Sequence, residues 1–294
     1  MKLSLGPLQY YWPADQVRDL YARAKDWPVD VVYLGEVVCG KRRELGPDDW
    51  LAIAEDLAGA GKEVVLSTQA LMEAESEVST MKRVCNNGRF PVEANDMGAV
   101  RLLAGSPFVA GPHVNAYNPE TLALLADLGA YRWVLPMELS REGLANLQTG
   151  RPAGMETEVF AFGRLPLAFS ARCFTARAAN LPKDQCGFRC YEDTEGKGLF
   201  TQEEQQLFTV NGIQLQSATP ANLVRAVDDM RNLGVDVVRI SPSADTDAVV
   251  EAFRAVMDGR KEAPQAEADL AHLSESGWSN GYWYGEAGML EGVG

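Results

Sequence analysis

The sequence predicts an α/β fold: a (β/α)8 barrel of the TIM type, one domain over residues 1–294, with an insertion at 167–218 between its seventh and eighth strands. Three observations predict it. Eight short apolar runs alternate with helix-patterned segments almost to the end of the chain. That alternation breaks only once. The length of 294 residues suits one large domain with a sizeable buried core. A doubly wound open sheet would show the same alternation and stands as the second choice.

Lys2–Leu8 reads as the first strand. Pro13-Ala14-Asp15 then opens a helix that puts Val17, Leu20, Tyr21 and Ala24 on one face. Val31–Gly35 is the second strand, and Asp48 and Asp49 lead a helix through Leu57 that Gly59 and Gly61 stop. Glu63–Thr68 is the third strand, followed by a helix with Val78, Met81 and Cys85 on a common face. Phe90–Glu93 begins the fourth, with a short helix near Val100, and Phe108–Val114 is the fifth. Asn118-Pro119 starts the helix carrying Leu122 and Leu125. Tyr131–Pro136 is the sixth strand, with Ser140 capping the next helix. Met155–Phe162 is the seventh strand. Val235–Ile240 is the eighth, before a helix that aligns Val249, Phe253 and Val256. Within the insertion, Asn211-Gly212 between apolar residues signals a tight hairpin, so the segment is expected to be ordered.

The chain holds five cysteines, and three lie in the stretch CFTARAANLPKDQCGFRC from Cys173 to Cys190. Thiolates are soft anionic ligands suited to zinc, copper(I) or iron–sulfur clusters. Gly187 allows a tight loop that aims Cys186 and Cys190 at one point. Cys39 lies just past the second strand and Cys173 just past the seventh, so a barrel brings both to the same rim. Cys39, Cys173, Cys186 and Cys190 are therefore the candidate ligands of one metal centre. Their spacing matches neither a doubled C-x-x-C zinc ribbon nor a ferredoxin run, and buried thiols also serve as small hydrophobes. Cys85, on the apolar stripe of a helix, reads as such a structural thiol.

Other residues near strand ends carry weaker signals. His113 and Asn115 are placed for substrate or supporting contacts, although a lone histidine is more often a hydrogen-bonded structural residue. Glu36, Asp96, Glu138 and Arg239 are rim charges that could do acid–base work. Lys41, Arg42, Arg43, Arg172 and Arg177 flank the cysteines and could offset the charge of a thiolate-ligated cluster or bind an anion. No catalytic residue is assigned among them. Gly59-Ala60-Gly61-Lys62 precedes a strand, where a phosphate loop needs a helix. The aromatic tail, Trp278 with Tyr282-Trp283-Tyr284, is expected to pack over a barrel end.

Composition narrows the function classes. With 27 basic and 41 acidic residues, the net charge is −14, and the chain lacks the basic balance that non-specific nucleic-acid binding needs. No apolar run approaches the length of a bilayer span. The opening MKLSLGPLQYYWP is too short and polar for a secretory signal, so a cytoplasmic location with reduced thiols is expected. An odd number of cysteines also disfavours a disulfide framework.

The blocks Tyr33–Arg43 (YLGEVVCGKRR), Leu165–Arg177 (LPLAFSARCFTAR), Pro182–Cys186 (PKDQC) and Asn280–Trp283 (NGYW) carry a resemblance, with shorter ones at Leu3–Pro7 and Asn211–Gln214. Together they resemble the collagenase-like peptidase family U32, in its ubiquinone-biosynthesis members. The likeness spans nearly the whole chain and departs at none of the four motif cysteines. It implies a [4Fe–4S] cluster on Cys39, Cys173, Cys186 and Cys190. It implies a heterodimer with a UbiU-like sister subunit, serving oxygen-independent hydroxylation of a ubiquinone precursor in anaerobic growth, with a UbiT-like lipid-carrier protein in the same pathway. The chain would be a subunit of a hydroxylase and inactive alone. Related members are thought to take the oxygen from prephenate. The peptidase label is inherited naming, because no protease triad or protease metal motif is present. The alternative is a zinc-binding structural or peptidase-like protein of the same fold.

Overall fold

The computed structural model describes residues 1–274 and 276–292. Its strands are β1 (Lys2–Leu5), β2 (Val31–Leu34), β3 (Glu63–Ser67), β4 (Val92–Ala94), β5 (Phe108–Ala110), β6 (Ala130–Val134), β7 (Glu156–Gly163), β8 (Pro166–Phe169), β9 (Lys197–Phe200), β10 (Gln206–Asn211), β11 (Gln214–Ser217), β12 (Ala221–Asn222) and β13 (Val237–Ile240). Strands β1 to β7 and β13 are parallel and close on themselves. Each of β1 to β6 pairs with the next, β6 pairs with β7, β7 with β13, and β13 with β1. Closure decides for the (β/α)8 barrel and against the open doubly wound sheet. Among the described residues, no helix is long and apolar enough to cross a membrane.

Local chemistry sets the element boundaries. The helix Pro119–Asp127 starts where the Asn118 side chain accepts from the Thr121 N–H at 2.8 Å, and Ser140 does the same for Gly143 at 3.2 Å. The fifth strand stops at Ala110, short of the expected Val114. Pro112 lacks an N–H for the ladder, and Pro112–Val114 winds into a 3-10 turn that Asn115 ends at φ 60°. The helix Val227–Asn232 before β13 has no signal in the sequence, since it is six residues long without a side-chain cap.

Strands β8 to β11 form a separate antiparallel sheet in the order β8-β11-β10-β9. The β10–β11 hairpin pairs Asn211 with Gln214, and Gly212 takes the left-handed φ of 64° that its tight turn requires. This sheet roofs the C-terminal mouth of the barrel. A cavity of only about 20 Å³ remains there, between Gly6, Asn95, His113 and Arg239 on the barrel side and Pro166 and Gln214 on the roof. The seam is built on Gln9, which follows β1. Its side-chain oxygen accepts from Gln214 Nε2 at 2.9 Å and Gln216 Nε2 at 3.1 Å. Its backbone oxygen accepts from Asn211 Nδ2 at 2.8 Å. The aromatic tail packs at the C-terminal end of β7, with Trp278 5.4 Å from Phe162 and Trp283 donating to Asp229 at 3.0 Å.

The barrel interior is charged as well as apolar. Glu158 accepts from Ser4 Oγ at 2.6 Å, from Arg239 Nε at 2.7 Å and from the Tyr33 hydroxyl. Arg239 also pairs with Glu93 at 2.7 Å and lies 4.0 Å from the centre of the Tyr33 ring. Arg132 donates to the Tyr33 hydroxyl at 3.1 Å. Burial alone would push the Glu158 carboxyl up, but Arg239 and Arg132 hold it below its ordinary 4.5. A carboxylate depressed in the folded state contributes stability above its unfolded pKa and loses it as pH falls through the folded one.

Two outcomes follow for stability. Arg239→Met removes the ion pair of Glu93 and one of the two that hold Glu158, and should cost about 3–5 kcal/mol in urea unfolding. Wild-type stability should decline as pH falls below 4.5, and Glu158→Gln should flatten that decline in denaturation midpoints taken down the acid range.

Candidate metal centre

Cys39, Cys173, Cys186 and Cys190 line one small cavity, and none is in a disulfide. Cys39 comes from the barrel and the other three from the segment between β8 and β9. Cys85 lies elsewhere, at the end of the helix Glu75–Cys85 and packed on the main core, where burial pushes its thiol up to about 11.

Each sulfur is fixed by its own local structure. Gly35 turns the chain out of β2 at φ 140°, where a Cβ would come within 2.5 Å of the Ser67 carbonyl oxygen. The Glu36 carboxylate then accepts from the Val38 and Cys39 N–H groups, both at 2.9 Å, and folds the loop back. Cys173 caps the short helix Phe174–Ala178, its sulfur accepting from the Ala176 N–H at 3.4 Å. The hairpin supports that helix, with Gly212 donating to Thr175 Oγ1 at 3.0 Å. Cys186 and Cys190 sit in two 3-10 turns, Lys183–Gln185 with its cap and Arg189–Tyr191. Between them, Gly187 and Phe188 both adopt left-handed backbone, at φ 57° and 54°. That is natural for Gly187 and strained for Phe188, so the reversal is specified against its local cost.

Arg42 joins these parts. Its side chain is fully buried, donating to the Gln9 carbonyl at 2.7 Å and to Asn211 Oδ1 at 2.6 Å, with Glu36 at 3.8 Å. Gly212 must lack a side chain here, since a Cβ would stand 2.9 Å from Arg42 Nη2. Lys41 donates to the Lys183 carbonyl at 2.8 Å and so ties the Cys39 loop to the Cys186 turn.

The walls are positive. Lys41, Arg42, Lys183 and Arg189 all line the cavity. Burial pushes the Cys39 thiol up to about 11, Glu36 adds to this, and Arg42 and Lys183 oppose it. Burial raises Cys190 too, against the pull of Arg42. The Arg42 Nε–H is buried without a hydrogen-bond partner, a costly state that an anionic sulfur acceptor would relieve. The donor set of four sulfurs, the cationic walls and this orphaned donor fit a sulfur-rich anionic group. Among the described residues, no three His, Cys, Asp or Glu side chains are gathered closely enough to hold a single metal ion.

The remaining candidates separate from this centre. Arg43, Arg172 and Arg177 are exposed and off its walls, whereas Lys183 and Arg189, not singled out in the sequence, lie on them. Proximity within Cys173–Cys190 was the one signal they carried. Asp96 caps the helix Met97–Leu103, and Glu138 accepts from Tyr117. Arg239 belongs to the barrel interior. His113 lines the mouth cavity with its ring 4.8 Å from Phe169, and burial, aided by Arg239, lowers its pKa to about 4. Asn115 serves as the exposed left-handed cap already described.

Comparison with known proteins places the chain. Among solved structures it is similar to the U32 peptidase Mk0906, at 13% identity and a TM-score of 0.46, covering 83% of this chain and 94% of that one. It is also similar to dihydrodipicolinate synthase DapA-2 from Bacillus anthracis, at 8% identity and 0.49, covering 90% and 79%. Dihydropteroate synthase from Thermus thermophilus matches at 14% and 0.42, covering 86% and 92%. The family model described as Peptidase family U32 matches residues 18–291, nearly the whole length, and the chain belongs to that family.

Proposed function

We propose that this chain is the iron–sulfur subunit, of the UbiV type, in a UbiU–UbiV-type heterodimer that hydroxylates the ring of a ubiquinone precursor without dioxygen, in the cytoplasm of anaerobically growing cells. The observation that carries the reading is the single cavity lined by Cys39, Cys173, Cys186 and Cys190, with cationic walls and the unpartnered Arg42 Nε–H. These four cysteines would hold a [4Fe–4S] cluster, one thiolate per iron. When bound, such a cluster supplies one-electron transfer. The chain's own residues do the rest: Glu36 and the Gly187–Phe188 reversal aim the sulfurs, and Lys41, Arg42, Lys183 and Arg189 offset their negative charge.

Four protein thiolates leave no iron with an open position, unlike a catalytic metal. An electron-passing or loop-holding role suits that ligation better than direct substrate chemistry. A zinc ion is the alternative occupant, in a structural or peptidase-like protein. Its bonds of about 2.3 Å would need the sulfurs within about 3.8 Å of one another. The cysteine-bearing segment also exposes Phe188, Tyr191, Leu199, Phe200 and Leu207, apolar surface of the kind a partner subunit covers. A UbiT-like lipid carrier would deliver the precursor, and a prephenate-like donor would supply the oxygen atom.

Replacing Cys39, Cys173, Cys186 or Cys190 by Ala should sharply lower the iron and sulfide bound after anaerobic purification. Cys85→Ala should keep both, with a modest stability loss from its small cavity. A colourless wild-type protein containing zinc would overturn the cluster reading. Anaerobic reconstitution should give no hydroxylated product with this chain alone, and product when the UbiU-like partner, an oxygen donor and a redox partner are added. Turnover by this chain alone, cluster intact, would move the active site back to the barrel rim.

A further inference from the structure

Lys41, Arg42, Lys183 and Arg189 line the cysteine cavity, and they are not equivalent. Lys41 Nζ is committed to the Lys183 carbonyl at 2.8 Å. Lys183 pairs with Glu73, and Arg189 pairs with Glu192 at 2.7 Å. The Arg189 side chain is also 51% exposed, where water and salt weaken its charge. The Arg42 side chain, by contrast, is 1% exposed. Of the four it alone keeps a buried N–H, on Nε, without a hydrogen-bond partner among the described residues.

That N–H has a fixed direction. The Gln9 carbonyl holds Nη1 and Asn211 Oδ1 holds Nη2, so the plane of the guanidinium is set at both tips. These bonds matter the more because Arg42 also lines a cavity of about 370 Å³. That cavity lies beside Trp50, between the helices Pro47–Gly59 and Glu75–Cys85. The guanidinium lies within reach of Cys190. Its charge and its hydrogen bonding both favour that thiolate, whereas Cys39 feels the charge alone.

We propose that the Arg42 Nε–H donates to the sulfur shell of the bound cluster, on the Cys190 side, and that this one contact raises the cluster's reduction potential. The proposal rests on the iron–sulfur function given above. Reduction brings one electron from an outside reductant onto the iron and sulfur atoms, and no protein bond forms or breaks. The sulfurs become more negative, so a charge-assisted N–H bond to them strengthens and the reduced state gains. A buried donor held in place acts with little screening. Arg42 is a tuning residue in this sense: it sets the potential at which the chain takes up its electron.

The test is pulsed electron paramagnetic resonance on anaerobically purified protein, grown with nitrogen-15 arginine and reduced with dithionite. Wild type should show a coupled arginine nitrogen and a coupled proton that exchanges with deuterated solvent. Arg42 and Arg189 are the two arginines on the cavity walls. Arg189→Lys should keep both couplings, and Arg42→Lys, which keeps the formal charge but loses the Nε–H, should abolish them. In redox titration Arg42→Lys should lower the reduced-to-oxidised ratio at a given potential about tenfold, or ~59 mV for one electron. Should Arg42→Lys take up no iron, labelled wild type and Arg189→Lys still decide. Iron-loaded wild type without the nitrogen coupling, or with couplings that Arg189→Lys abolishes, would overturn the contact and leave the cluster reading standing. An unchanged potential in iron-loaded Arg42→Lys, or a wild-type cluster that dithionite cannot reduce, would overturn the tuning. A protein without iron would overturn the cluster reading and this contact with it.

Discussion

The buried guanidinium of Arg42 holds together the parts from which the cysteine cavity is made. It reaches the segment after β1 through the Gln9 carbonyl, the appended sheet through Asn211, and its own loop through Glu36. A lysine would not do this, because one ammonium cannot span two acceptors in a fixed planar fork. Asn211 answers Arg42 and Gln9 at once, so the hairpin turn is placed relative to β1 and β2 by one shared set of contacts. Cys39 and Cys173 therefore face the same space by construction, although they lie on different structural layers.

The barrel supplies the rigid frame beneath. Ser4, Tyr33, Ser67, Glu93, Arg132, Glu158 and Arg239 bring side chains from seven strands into one polar network. Glu93 and Glu158 hold Nη1 and Nε of Arg239, whose Nη2 is buried without a partner, and the roof leaves only about 20 Å³ at the mouth above them. The axial position where barrels usually keep their active sites thus keeps little room, and a cavity of about 370 Å³ lies instead on the flank beside the Cys39 loop.

Much of the frame was legible in the sequence, because alternation of apolar runs with helical stripes is a local signal. All eight barrel strands overlap the runs that mark them. Boundaries were less legible where one residue decides them, as Pro112 does by withholding an N–H. Outer strands of the roof escaped notice: Leu199 and Phe200 on β9 are exposed and show no buried face to read. At the site, cysteine identity and rim position pointed to a shared cavity. Arg42 could be named as a neighbour, but its bond to Asn211 joins residues 169 positions apart, which no spacing rule reveals. The cavity beside Trp50 was invisible for a related reason. A gap between two helices is a property of how they pack, and neither helix pattern records it.

The seam between roof and barrel has one further consequence. Gln9, Gln214, Gln216 and the Asn211 amide meet through neutral hydrogen bonds, buried from solvent. Mobile ions weaken attraction between exposed charges but have little hold on neutral amides out of their reach. The surface ion pairs, such as Arg18 with Asp49, soften as ionic strength rises. The seam does not. The roof, and with it three of the four sulfurs, keeps its seat on the barrel in dilute and concentrated electrolyte alike.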